Sequence, residues 1–256
     1  MKLLIDNLTF SYNEKETLFD GHNLLFESES GTGMYGIIGP SGTGKSTLLS
    51  ILGGQLHPKG TVSINGIEIY SVADSTRREL IALQIQTSTS LRGKLGYNLR
   101  FGLPRNHEIY SDEDLITVLN QVGLWDLFEP KDGLDTLIGE GGLNLSGGQR
   151  QRLNFANLYL RAKYFDPALI LVDEPTSSLD EISEKAITTM ILELSKKSVT
   201  LVVAHRLATL NAAEGLLDSS LFKDSKEMRF YTSSELLNVS QYYQDLQSGK
   251  VHLDEG

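Results

Sequence analysis

Three segments of this chain combine glycines, hydroxyls, a lysine and carboxylates at spacings suited to phosphate chemistry: GPSGTGKST over residues 39–47, LSGGQ over 145–149 and LILVDEP over 169–175. The first fits G-x-x-x-x-G-K-[ST], a turn between strand and helix whose backbone N–H groups face phosphate oxygens while a lysine supplies charge. On that reading Gly39, Pro40, Ser41, Gly42, Thr43, Gly44, Lys45, Ser46 and Thr47 form a nucleotide cradle. The acidic pair Asp173-Glu174 ends an apolar run, and the second glycine segment adds backbone donors. Each has a chemical task beside such a loop, and their joint occurrence predicts triphosphate hydrolysis.

The elements that position these segments are partly visible in the pattern. The apolar lead-in MYGIIG predicts a strand at 34–38, with further β-like runs at 3–12, 24–29, TVSING and IEIY. Apolar spacing at Leu115, Val118, Leu119 and Val122 predicts a helix over 111–128, with Asp112 to Asp114 at the dipole-favoured end. Residues 150–163 predict another. The continuous apolar runs 168–172 and 199–204 predict strands buried on both faces of a parallel sheet, with function at the loops that follow them. Gly31, Gly33 and Gly36 spell the dinucleotide fingerprint G-x-G-x-x-G, but it precedes the strand, which excludes that use.

Composition excludes other classes. The chain has 256 residues, 40% hydrophobic, enough for one large domain or two sub-domains. A net charge of -10 opposes sequence-independent binding to nucleic acid, so none is expected as a partner. With no cysteine there is no disulfide or thiolate site, and the histidines form no His-x-x-x-His pair. Asp6 interrupts the first apolar stretch too early for an export signal. No window approaches the roughly 20 apolar residues of a membrane span, so any membrane role is expected through a partner. Asn-x-Ser/Thr triplets at Asn7, Asn144 and Asn238 carry no meaning without such a signal.

Over nearly its whole length the chain resembles the nucleotide-binding domain of an ATP-binding cassette (ABC) transporter. The resemblance implies an α/β P-loop NTPase (RecA-like) core with an antiparallel β sub-domain and an inserted α-helical sub-domain, the core at roughly 1–87 and 164–256 and the insert at roughly 88–163. It implies ATP and Mg²⁺ as cofactors: Lys45 on the β- and γ-phosphates, Ser46 and Asp173 on the metal, and Glu174 as general base. His205, in VVAHRL, matches the family's γ-phosphate histidine. Gln86 matches the glutamine that touches metal and water, with Gln84 as its rival. Tyr12 matches the aromatic that stacks on adenine. Ser146, Gly147, Gly148 and Gln149 match the signature that contacts ATP held by the other subunit, which makes a homodimer or heterodimer the active unit. Asp180, in SSLD, matches the D-loop residue linking the two sites, with Ser178 where alanine is usual.

TLIGEGGLNLSGGQRQR and SSELLNVSQYYQDL resemble exporters more than importers, so export driven by ATP-dependent dimerisation is expected, at the cytoplasmic face of a membrane and through a transmembrane subunit or domain. Lys94 and Tyr97 depart from the exporters' usual threonine and glutamate at positions that meet that partner. No regulatory domain is expected beyond residue 256. Two other classes remain as contrasts. A soluble ABC ATPase acting on DNA or ribosomes would carry a long coiled-coil insertion or a second cassette. A P-loop kinase would make LSGGQ accidental.

Overall fold

The computed structural model describes residues 1–13, 16–85, 91–104, 109–204 and 207–250. Two five-stranded sheets organise it. The first is largely antiparallel and runs β12 (Glu227–Met228), β2 (Glu16–Glu27), β1 (Lys2–Asn13), β4 (Lys59–Ile64), β5 (Ile67–Glu68). The second is parallel throughout: β11 (Gly215–Asp218), β3 (Gly33–Ile38), β10 (Val199–Val203), β9 (Leu169–Asp173), β6 (Ile81–Gln84).

Both faces of the parallel sheet are covered, which is why its strands are apolar at nearly every position. Along β9 the alternation of side chains sends Leu169 and Leu171 into one core with Leu3, Ile5 and helix α1 (Lys45–Leu52). Ile170 and Val172 enter a second core with helices α6 (Gly147–Phe165) and α7 (Glu181–Ser195). Burial of each such side chain contributes about 1.5–3 kcal/mol.

Between β6 and β9 lie α3 (Leu95–Arg100), α4 (Asp112–Gln121), α5 (Trp125–Phe128) and α6, with a two-stranded ribbon of β7 (Gly93–Lys94) and β8 (Leu137–Ile138). The chain closes with α8 (Leu207–Leu210), α9 (Ser233–Val239) and α10 (Gln241–Gln247). A parallel core, an antiparallel layer and an inserted helical run are the architecture expected from the sequence.

Local boundaries differ in four places. The helix expected over 111–128 is two helices, because Gly123 takes φ 63 and ends the first turn sequence before Trp125 starts the next. Its start is firm: Ser111 and Asp114 form a reciprocal capping box, a feature of about 1 kcal/mol. The strand expected at 24–29 begins at Glu16, since β2 pairs with β1 along its length. IEIY contributes only two strand residues, and α2 (Asp74–Leu80) was not expected. No side chain of α2 is buried, so it leaves no apolar period to read.

Candidate nucleotide site

The loop between β3 and α1 is built by glycine. Gly39, Gly42 and Gly44 have φ of 134, 78 and 95, values open to a residue without Cβ, and Gly44 is the N-cap of α1. Lys45, 6% exposed, folds back over the loop, its Nζ donating to Gly39 O at 2.9 Å and Pro40 O at 2.8 Å. Thr43 Oγ1 donates to Pro40 O at 2.8 Å. Burial lowers the Lys45 pKa from its ordinary value, and negative charge on Glu174, Asp173 and Asp218 opposes that shift. The lysine therefore lies in the field of the acidic pair.

Asp173 is the last residue of β9 and is 1% exposed. Glu174 follows with φ 46, uncommon for a residue with a Cβ, and its N–H donates to Val203 O at 3.0 Å. The chain thus turns sharply at the strand end, beside β10. Tyr12 is 65% exposed, packs edge-on against Phe10 and bonds through its hydroxyl to Thr47 Oγ1 at 3.0 Å. An aromatic face is so presented next to the loop helix. Ser46 is exposed at the start of α1.

Ser146 caps α6: its Oγ accepts from Gln149 N at 3.2 Å, and Gln149 Oε1 accepts from Ser146 N at 2.9 Å. Gln149 is thereby engaged with its own helix end. Gly147 has open space where a Cβ would stand, whereas one on Gly148 would come 2.8 Å from Ser178 O. The start of this 19-residue helix presents amides and the positive end of its dipole to solvent. Among the described residues no hydrogen bond joins residues 146–149 to residues 39–47. Asp180 is the N-cap of α7, accepting from Ser183 N and Ser183 Oγ, both at 2.9 Å. Those bonds hold its carboxyl below the usual range.

Gln86 and His205 lie outside the described residues. Gln84, the rival of Gln86, ends β6 opposite Val172 and is 4% exposed, inside the sheet. One residue escaped sequence reasoning. Gln151, on the first turns of α6, donates from Nε2 to Glu174 O and to Ser177 Oγ at 3.1 Å, and its Oε1 accepts from Ser178 N at 3.3 Å. It ties the signature helix to the strand-end turn. Its position two residues after LSGGQ was the available signal, but a glutamine's bonding to a distant backbone leaves no periodic trace.

A glycine loop between a parallel strand and a helix, with a buried lysine facing an acidic strand end, defines the class of P-loop NTPases. The family model described as "ABC transporter" matches residues 22–177. The chain belongs to the ABC transporter family as its ATP-binding domain, with the ATPase activity that membership implies. It is 33% identical to an ATP-dependent lipid A-core flippase of Albidiferax ferrireducens, over 96% of this chain and 40% of that protein. It is 37% identical to a multidrug resistance ABC transporter ATP-binding and permease protein of Lactococcus lactis subsp. cremoris, over 81% and 34%. The structure of a bacterial Atm1-family ABC exporter with ATP bound superposes with a TM-score of 0.81 at 26% identity, covering 97% of this chain and 42% of the other. The chain therefore spans well under half the length of these relatives.

Proposed function

We propose that two such domains, identical or from two different chains, close around ATP, hydrolyse it and pass the resulting motion to transmembrane helices, for export rather than import. The observation that carries this reading is the separation of two half-sites: a loop with Lys45 in the field of Asp173 and Glu174, and an exposed helix start at Ser146 with no bond to that loop. A second copy supplies what the first leaves open. The reading places the division of the domain at roughly 1–87 with 164–256 for the core and 88–163 for the helical part.

Within it, amides of residues 41–45 and the Lys45 ammonium hold the phosphates, with Gly39 and Pro40 shaping the turn, and Tyr12 stacks on the base. Glu174 accepts the proton of the attacking water, and Gln151 and Val203 fix its backbone. Ser146, Gly147 and Gly148 complete the partner's site, with Gln149 as the cap behind them. Asp180 orients the segment between the two sites. Gln86 and His205 are assigned to the water and the γ-phosphate, and burial of Gln84 inside the sheet supports Gln86 over it.

The residues present fit a magnesium ion. Ser46 and Asp173, with Gln86 assigned to the same ion by the resemblance, offer hard oxygens, and no group of three acidic, histidine or cysteine side chains forms a cage among the described residues. That donor set suits an ion that keeps waters and phosphate oxygens as its other ligands. When bound, it would neutralise phosphate charge, and the buried Asp173 would be the carboxylate that holds it.

Among the described residues no helix is long and apolar enough to cross a membrane. Membrane work therefore falls to a transmembrane partner, subunit or domain, which would hold this domain at the cytoplasmic face. A cavity of about 690 Å³ lined by Arg92, Leu137, Ile138, Leu143 and Asn144 lies in the helical part. Tyr97 on α3 and Phe101 at its C-terminal cap are both more than half exposed, and we assign the partner to this face. Lys94 pairs with Asp135 at 2.8 Å. Glu174→Gln tests the reading: ATP binding persists, turnover falls by orders of magnitude and a dimer accumulates in size-exclusion chromatography. Unchanged turnover removes Glu174 from its role. Phosphate on a small acceptor would mean a kinase, and salt-sensitive nucleic-acid binding without membrane recruitment a soluble cassette.

A further inference from the structure

The turn after β11 reaches into the phosphate loop. Ser219, 1% exposed, donates from Oγ to Ile38 O at 2.9 Å and lies 2.5 Å from Thr43 Oγ1, while Thr43 Oγ1 also donates to Pro40 O. A Cβ on Gly39 would collide with Ser219 Oγ, so the loop's first glycine is also the space in which this hydroxyl sits. The two hydroxyls hold two protons but make three contacts, so one contact is always without a proton.

The turn itself is pinned from three sides. Asp218, 1% exposed, accepts from Ser220 N at 2.8 Å and from Ser240 Oγ, which caps α10. His22 Nδ1 accepts from Asp20 N at 3.0 Å, which leaves Nε2 to donate to Phe222 O at 2.9 Å. Phe222 in turn packs against Phe19, whose ring lies against Gly44.

We infer that Ser219 is a positioning residue for the phosphate loop, acting through Thr43. Pro40 O accepts from both Lys45 and Thr43. When Lys45 turns to a phosphate, Pro40 O depends on the Thr43 proton alone, and Ser219 is free to give its own proton to Thr43 or to Ile38 O. While Lys45 also holds Pro40 O, the Thr43 proton can turn to Ser219, which then accepts; once Lys45 leaves, Thr43 stays on Pro40 O and Ser219 donates, so the loop keeps its shape in both arrangements. The inference rests on the reading of residues 39–47 as the phosphate loop.

The test is nucleotide affinity together with turnover in the full chain, using Mg²⁺–ATP. Ser219→Ala raises the Kd and KM for ATP about three- to ten-fold, the factor of one net hydrogen bond, with kcat within two-fold. Thr43→Val raises Kd by at least that factor, and the double variant is no worse than Thr43→Val, because that substitution already removes the Ser219 contact together with the bond to Pro40 O. An unchanged Kd in a folded Ser219→Ala, or additive effects in the double variant, overturns the inference. If Ser219→Ala does not fold, Thr43→Val decides: unchanged Kd rejects the contact. Lys45→Ala separates the two failures, since full ATP binding there would sink the phosphate-loop reading itself, whereas lost binding there with normal Ser219→Ala sinks only this inference.

Discussion

The loop at 39–45 and the helix start at 146–148 are both glycine-rich anion sites, yet they are finished to different degrees. In the first, the lysine is buried, its ammonium is satisfied by two carbonyls, and a hydroxyl pair braces the rim. In the second, Ser146 and Gly147 are exposed, and among the described residues the side-chain bonds are those of the cap. Burial on one side and openness on the other are what a site shared between two chains requires. The loop must hold its shape before nucleotide arrives, and the helix start must remain accessible to another surface.

The sharpest break in this comparison is Lys45→Ala, which removes a charge from the finished half and should abolish ATP binding or reduce turnover by orders of magnitude, as isothermal calorimetry and phosphate release would show. Next, Gly147→Ala enters open space, so the protomer should keep its melting temperature and its ATP affinity while turnover drops at least ten-fold through loss of the trans contact. Equal loss of affinity and turnover would place Gly147 in the same half as Lys45. Gly148→Ala pushes against Ser178 O and should cost about 1–3 kcal/mol of stability besides, visible in denaturant unfolding. Gln151→Ala unties α6 from the Glu174 turn and should lower kcat several-fold with little change in ATP affinity.

The smallest effect concerns Asp180. Its folded pKa is depressed by the Ser183 bonds, so its contribution to stability is present above the ordinary value of 3.8 and is lost as pH falls through the lower folded value. Asp180→Asn, which caps without titrating, should therefore lose less melting temperature than wild type as pH falls from above 3.8 through that lower value. Parallel acid curves for the two proteins would remove the cap from the account.

What the sequence disclosed follows from what leaves a local mark. β9 and β10 were legible because a strand covered on both faces admits no polar interruption, and the loop because its glycines stand where positive φ is needed. Gly123 was visible as a residue but not as a break, since the apolar period of α4 runs on into Val122 and Leu124. α2 was hidden by its exposure. Among site residues, Lys45 lies in the field of Asp173 and Glu174, whose motifs were each readable, while Gln151 and Ser219 act through bonds to residues far along the chain, which no local pattern encodes.

α6 has a further tie at its middle: the Asn157 amide donates to the carbonyls of Asn98, Leu99 and Phe101, at 3.0, 3.1 and 2.8 Å. One side chain thus clamps the end of α3 to a rod of roughly 28 Å. With the transmembrane partner on the proposed face, a force on Tyr97 and Phe101 would pass through Asn157 into α6, the helix that begins beside Ser146.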